Sequence, residues 1–161
     1  MISENTIDKT IALLEKQPDG YEKAMRDFAG KQPAVLSFLM TDNEGALSDE
    51  ERDFVVYMAV VIWKSILAEG QDPPKVSVEE LAEAEEAIWD KLQSSKAKSF
   101  REKLDVFYEN CQEEDLLALV EDALTIEDED MEDDNFHLTL EGQEPMFVAL
   151  KTVIDVLAED V

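Results

Sequence analysis

The chain has 161 residues, 45% of them hydrophobic, which is enough apolar material for one domain with a buried core. It carries 14 basic and 40 acidic residues, so the net charge at pH 7 is −26. A surface of that charge repels nucleic acid and anionic lipid, and we therefore expect neither a nucleic-acid partner nor a membrane partner. The single cysteine excludes a disulfide within the chain.

The sequence predicts a cytoplasmic location. The opening residues MISENTIDKT have neither the basic start nor the apolar run of a secretory signal peptide. The longest uninterrupted apolar run, Phe54–Trp63, has ten residues, about half of the roughly 20 that a membrane-spanning helix needs. We therefore predict that this run lies in a buried helix of the core.

Apolar residues recur at helical spacing through most of the chain, with breaks at proline, glycine and serine. The first predicted helix covers about Ser3–Gln17 and is stopped by Pro18–Gly20. The second covers about Tyr21–Gly30. The third is a short helix over about Pro33–Met40, because proline suits the first turn of a helix.

The fourth predicted helix is the longest and the most apolar. Ser48, followed three residues later by Glu51, forms the capping-box pattern that begins a helix, and the apolar pattern continues to Ala68. Since Phe54–Trp63 is apolar in every direction around a helix, it should be surrounded by the other helices. We predict that this helix, near residues 49–68, is the centre of the fold.

Three further helices follow a loop that is rich in proline and glycine. Ser77 with Glu80, and Ser99 with Glu102, repeat the capping-box pattern and begin the fifth and sixth helices. The seventh is predicted over roughly Glu113–Leu124.

Pro145 is predicted to open the eighth and last helix. Residues 136–140 alternate in polarity, but a lone strand without partners is marginal, so we predict a loop there. The predicted fold class is therefore all-α: a single compact domain over residues 1–161, with about eight helices around the central one and an acidic connector at about residues 125–144. The residues predicted to face inward on the last helix are Met146, Leu150, Val153, Ile154 and Leu157.

Residue types that carry catalysis or bind cofactors are scarce. The only cysteine, Cys111, and the only histidine, His137, lie on opposite sides of an acidic run. The five glycines are scattered singly, which argues against a phosphate-binding loop, and one histidine with one cysteine cannot supply a zinc or di-iron site. We therefore expect no cofactor and no enzymatic activity.

Glu85 is the basis of an alternative function, an enzyme with a carboxylate site. Successive residues of a helix turn by about 100°, which places Glu85 near the middle of the apolar face of the fifth helix. It is predicted to pair with Lys64, to lie at the edge of a groove, or to act as an acid with a raised pKa. The predicted apolar face consists of Val78, Leu81, Ile88, Trp89 and Leu92.

A calcium site is another alternative, because acidic loops supply the oxygen ligands that calcium takes. The segment MTDNEGALSDEE, Met40–Glu51, resembles an EF-hand loop at Asp42, Glu44 and Glu51, its third, fifth and twelfth positions. Its first position, Met40, has no side-chain oxygen. The competing interpretation is a turn followed by a capped helix.

The segment DMEDDNFHLTLE, residues 130–141, resembles the same loop through oxygen ligands at its first, third, fifth and twelfth positions. Gly142 and Pro145 are predicted to interrupt the helix that should follow such a loop. The competing interpretation is a solvated loop. The candidate metal ligands are Asp130, Glu132, Asp134 and Glu141.

The acidity is concentrated in the C-terminal third, residues 111–161. This third holds 17 acidic residues against Lys151 alone, a net charge of −16, and no Lys or Arg lies between Lys103 and Lys151. Its densest run, EDEDMEDD, has seven carboxylates in eight residues. Such runs are solvated segments or docking surfaces for basic partners. The predicted partner-binding residues are Glu127, Asp128, Glu129, Asp130, Glu132, Asp133 and Asp134.

The sequence therefore predicts a non-catalytic interaction or regulatory module that docks a basic protein partner through its C-terminal third. Electrostatic attraction would speed the encounter, and exposed apolar helix surface would add affinity. One concentrated basic cluster is predicted to bind the acidic segment of this chain or of a neighbouring chain. It consists of Lys96, Lys98, Arg101 and Lys103.

Overall fold

Every regular element in the described part of the chain is a helix. The structure, a computed structural model, describes residues 2–16, 19–40, 48–97, 99–109, 113–124 and 140–159. The prediction of an all-α fold with about eight helices is confirmed within these ranges. The helices are α1 (Glu4–Lys16), α2 (Gly20–Lys31), α3 (Pro33–Met40), α4 (Asp49–Ala68), α5 (Val78–Gln93), α6 (Phe100–Tyr108), α7 (Glu114–Leu124) and α8 (Leu140–Ile154), and a π-helical turn, Asp155–Glu159, continues α8.

Serine caps begin three of these helices at the predicted positions. At α4, the Ser48 hydroxyl accepts a hydrogen bond from Glu51 N at 3.1 Å, and the Glu51 carboxylate accepts one from Ser48 N at 3.0 Å. This is the complete capping box, which satisfies two backbone donors that a helix end leaves unpaired. Ser77 at α5 and Ser99 at α6 accept the matching amide bond at 3.2 Å each.

Helix α4 lies at the centre of the fold, as predicted. Its buried residues include every position from Met58 to Trp63, which together face all directions around the helix. Helices α1, α2, α3 and α8 pack against it. On one side the rings of Trp63 and Phe28 of α2 lie 5.5 Å apart, centre to centre. One hydrophobic core takes residues from all eight described helices.

Helix α8 begins earlier than the sequence predicts and is a second central helix. It starts at Leu140, so the prediction that Pro145 opens it was wrong. Residues 140–144, which we predicted to belong to the acidic connector, are therefore part of α8. Pro145 is the sixth residue of α8, where its missing N–H removes a single hydrogen bond close to the helix N-terminus. The five residues predicted to face inward are all buried, and so are Phe147, Val148 and Thr152.

Gln32 anchors the long loop between α4 and α5. Its side chain is 1% exposed and lies at the junction of α2 and α3. The Gln32 amide nitrogen donates to the carbonyl oxygens of Pro73 and Pro74 at 3.3 and 3.0 Å, and its amide oxygen accepts from Val76 N at 2.9 Å. A single buried side chain therefore satisfies three backbone groups of a loop more than 40 residues away along the chain.

None of the helices in the described ranges is both long enough and apolar enough to cross a bilayer.

The first testable prediction concerns the Gln32 anchor. We expect Gln32→Glu to lower the free energy of unfolding by about 3 kcal/mol, because a carboxylate cannot donate to the two proline carbonyls and would be buried beside them. Gln71→Glu, the same change at an exposed position of the same loop, is expected to stay within about 0.5 kcal/mol of the parent. Denaturant unfolding of the three proteins measures both values, and equal losses in the two variants would contradict the assigned role of Gln32.

Candidate functional site

The acidic connector, now residues 125–139, lies outside the described residues, but both of its attachment points are within them. The seven predicted partner-binding carboxylates, Glu127–Asp134, belong to this stretch, and so do three of the four candidate metal ligands. The fourth, Glu141, is in the first turn of α8. The chain enters the connector at Leu124, the last residue of α7, and leaves it at Leu140. The described site is therefore the base from which the connector extends.

A buried hydrogen bond joins the two ends of this base. The side-chain nitrogen of Gln143, in the first turns of α8, donates to the carbonyl oxygen of Leu124 at 2.9 Å. Leu124 is fully buried and Gln143 is 8% exposed. The last carbonyls of a helix have no hydrogen-bond donor within the helix. Gln143 supplies a donor for one of these carbonyls, that of Leu124. Consequently the connector leaves and rejoins the folded part of the chain at neighbouring points.

Two members of the basic cluster bind acidic residues on both sides of the connector. Arg101 Nη2 lies 2.9 Å from Asp122 Oδ1, and Arg101 Nε lies 3.3 Å from Glu121 Oε1, on α7. Lys103 Nζ lies 2.7 Å from Glu144 Oε1, on α8. Helix α6 thus uses its cations within this chain, next to the predicted acidic segment. Lys96 is exposed, and Lys98 lies outside the described residues.

Lys151 is the only Lys or Arg after Lys103 in the whole sequence, and it is buried. The residue is 5% exposed, and its ammonium lies 2.6 Å from Asp155 Oδ1, one turn further along the chain. Its positive charge is therefore paired with a carboxylate inside the protein. The surface of the C-terminal third receives no lysine or arginine head group from its own sequence.

Two carboxylates of the C-terminal third have a structural role at the N-terminus of α1. Glu113 Oε2 accepts a hydrogen bond from Ile2 N at 2.7 Å, and Asp115 Oδ2 accepts one from Glu4 N at 3.1 Å. The Glu4 amide is the first of α1, where amides lack intrahelical partners and carry partial positive charge, so a carboxylate is favourable there. The Ile2 amide lies just before the helix. Glu113 is 5% exposed. These two acids fasten the start of the chain to α7.

Glu51, the last ligand candidate of the first EF-hand-like segment, serves as a helix cap. It is 1% exposed, and its carboxylate accepts the Ser48 amide proton. This geometry agrees with the competing interpretation of the segment, a turn followed by a capped helix. Asp42 and Glu44 lie outside the described residues. Among the residues that the structure does describe, no group of three or more His, Cys, Asp or Glu side chains could hold a metal ion.

The helix that follows the second EF-hand-like segment is present. We expected Gly142 and Pro145 to interrupt it, and that expectation was wrong, because α8 runs through both positions. Gln143 supports this extra turn through its bond to α7. The first three candidate ligands, Asp130, Glu132 and Asp134, lie outside the described residues, so calcium binding stays a prediction.

Glu85 is half-buried on α5, which packs against α3, α6 and α8. Its predicted partner Lys64 is half-buried as well, and the Lys64 ammonium lies 5.6 Å from the centre of the Trp63 ring. The prediction of the apolar face around Glu85 is wrong for one residue, Val78. Val78, the first residue of α5, is 68% exposed. Cys111 and His137 lie outside the described residues.

The structure also forms an aromatic and acidic surface that the sequence did not indicate. Tyr21 of α2 and Tyr57 of α4 are both half-buried, and their ring centres lie 5.4 Å apart at an angle of 46°. Burial, followed by the charge of Asp53, raises the pKa of Tyr21 above its ordinary value of 10.0. Burial, followed by the charge of Glu15, raises the pKa of Tyr57 in the same direction. Three helices, α1, α2 and α4, therefore bring two phenols and two carboxylates together.

No protein-family model matches the chain, and searches among curated proteins and solved structures give no match either.

The second prediction tests the base of the connector. Gln143→Ala should lower the free energy of unfolding by about 1–3 kcal/mol, because it leaves the buried Leu124 carbonyl without a donor. Gln93→Ala, at the exposed last residue of α5, removes the same side chain where it satisfies no buried group and should change stability by less than about 0.5 kcal/mol. Thermal and denaturant unfolding provide the comparison, and a Gln143 variant as stable as the Gln93 variant would contradict the assignment.

The third prediction concerns alkaline pH. Because the folded protein holds the phenolic protons of Tyr21 and Tyr57 more tightly than the unfolded chain, their contribution to stability is complete below pH 10.0 and is lost as the pH rises through the folded-state pKa values. We expect the free energy of unfolding to fall more steeply above pH 10.0 in the parent than in the Tyr21→Phe, Tyr57→Phe double variant. Unfolding measured at a series of pH values, with tyrosinate absorbance as the titration signal, checks this. Identical slopes would contradict it.

Proposed function

We propose that the protein is a non-catalytic interaction module that docks a basic protein partner through its acidic C-terminal third. The observation that carries this proposal is the burial of Lys151. The C-terminal third has a net charge of −16, and its one lysine or arginine, Lys151, is only 5% exposed. A surface of one sign attracts partners of the other sign over a longer distance than isolated charges do.

The base of the connector supports the proposal because its two ends are bonded to each other and to α6. The Gln143 bond to Leu124 holds the two attachment points together, and Arg101 and Lys103 bind acids on either side. The seven carboxylates Glu127–Asp134 are thereby tethered at one place on a folded domain. Such tethering keeps their charge concentrated, which favours a single contact area for a basic partner.

Charge is expected to dominate this contact over apolar burial. In the described ranges the large hydrophobic residues that stand exposed are Leu13, Met40 and Val78, which belong to α1, α3 and α5. None of these three residues is in the C-terminal third. The proposed complex therefore depends on electrostatic attraction, which acts mainly on the association rate.

The fourth prediction follows from this dominance of charge. Affinity for the partner should fall steeply as salt rises from ~0.01 M to ~0.15 M, because the screening length shrinks from about 30 Å to about 8 Å. The partner is identified by affinity purification from the native cell with mass spectrometry at both salt concentrations. Association and dissociation rates of the purified pair are then measured, and most of the loss should appear in the association rate. A complex whose affinity does not depend on salt would contradict the electrostatic mechanism.

A matched pair of variants separates the connector from net charge in general. The connector variant changes the seven carboxylates of Glu127–Asp134 to their amides. The control variant changes four aspartates and three glutamates at exposed positions elsewhere, so both variants have the same net charge. We expect the partner to bind the control and to be lost from the connector variant, whereas equal losses in the two would contradict docking through this third. The control positions are Asp8, Glu22, Asp27, Asp72, Glu83, Glu86 and Asp90.

A further inference from the structure

The Tyr21–Tyr57 pair forms a surface that differs in kind from the acidic connector. The two rings lie in contact, 5.4 Å apart between centres and inclined at 46°, where α2 packs on α4. Both residues are half-buried, so part of each residue reaches solvent. Neither phenol hydroxyl has a hydrogen-bond partner among the residues that the structure describes, whereas buried tyrosine hydroxyls usually have one. The pair therefore keeps both aromatic surface and polar groups available to a ligand.

Two exposed carboxylates border this aromatic pair. Asp53 is one turn before Tyr57 on α4, and residues four apart share a helix face. Glu15 is near the end of α1, which packs against both α2 and α4. Within the described ranges, neither carboxylate forms a salt bridge.

The electrostatic influence on the two phenols is negative. Beyond burial, the charge of Asp53 and, after it, Tyr57 itself raise the pKa of Tyr21, and the charge of Glu15 raises the pKa of Tyr57. The face of an aromatic ring is itself negative and attracts cations. Ring faces and carboxylates at this surface thus favour the same kind of ligand, an organic cation.

We propose that Tyr21, Tyr57, Glu15 and Asp53 form a receptor for the guanidinium group of an arginine side chain on a partner protein. Guanidinium is planar, stacks on aromatic faces and donates two parallel hydrogen bonds to a carboxylate. The ammonium of lysine is compact and strongly hydrated, and it gains less from an aromatic surface. The four residues belong to α1, α2 and α4, so the receptor is separate from the C-terminal third and does not depend on docking there.

The experiment uses the full chain with isotopically labelled tyrosine and follows the aromatic NMR signals during addition of the blocked tripeptide Gly-Arg-Gly. The protein has three tyrosines, and the third, Tyr108, donates to Glu121 beside the connector. Tyr108 therefore serves as an internal reference in acidic surroundings. We expect saturable shifts of Tyr21 and Tyr57 with a millimolar dissociation constant, and no saturable shift of Tyr108.

Two further peptides test the chemistry of the ligand. Replacing arginine by citrulline keeps the shape and removes the charge, and we expect it to abolish the saturable shifts. Replacing arginine by lysine keeps the charge and removes the planar group, and we expect about two- to fivefold weaker binding, the size of an exposed cation–π contribution. Citrulline shifts equal to those of arginine would overturn a cation receptor, and lysine binding as tight as arginine binding would overturn the guanidinium assignment.

Matched variants test the receptor residues. Glu15→Gln with Asp53→Asn should weaken arginine binding at least about threefold, because each exposed carboxylate contact is worth a fraction of a kcal/mol. Glu83→Gln with Asp90→Asn makes the same charge change at exposed positions of α5 and should leave binding unchanged. All four substitutions are at exposed residues, so the fold is retained. Equal weakening by the two pairs, a shift of Tyr108 as large as those of Tyr21 and Tyr57, or no saturable shift in the parent protein would overturn the proposal.

Discussion

The fold depends on one constraint, which is that the middle of α4, Met58–Trp63, is apolar on every side and is buried on every side. Burying a single valine, isoleucine or methionine side chain contributes roughly 1.5–3 kcal/mol, and α4 buries a continuous run of such residues. One neighbouring helix can cover only one face of α4. The packing of α1, α2, α3 and α8 around it follows from this requirement. Helix α8 is the corresponding buried helix in the second half of the chain, and α5 and α7 cover it.

A protein with 40 acidic residues has to place them without burying unpaired charge, and the two glutamates that are buried in the described ranges have structural roles. Glu51 completes the capping box of α4, and Glu113 satisfies an amide near the start of α1. The buried Lys151 is paired with Asp155. Each of these buried ionic groups therefore has a hydrogen-bond or ion-pair partner. The exposed carboxylates of the described residues make their surface negative, and the C-terminal third has no surface lysine or arginine of its own to offset its acids.

Sequence patterns predicted helix boundaries well where a local signal marks them, and poorly where the boundary depends on distant residues. Ser48, Ser77 and Ser99 cap helices at the predicted positions, because a serine cap involves only four consecutive residues; the bond back from the glutamate, which completes the capping box, is present at Ser48. The start of α8 was misplaced because Gly142 and Pro145 are unfavourable in an isolated helix. A hydrogen bond from Gln143 to α7, 19 residues away, supports that turn in the folded protein.

The amino-acid sequence by itself determined the all-helical class, the central position of α4 and the concentration of acid in the last third. Each of these follows from the spacing or the counting of residue types, which requires no knowledge of distant contacts. Only the tertiary structure decided that Gln32 anchors the loop after α4, that Glu113 binds the amide of Ile2 just before α1, and that Tyr21 meets Tyr57. The residues in each of these contacts are 36 to 111 positions apart along the chain. No local pattern encodes such pairs, because they come together only when several helices cover the same apolar surface.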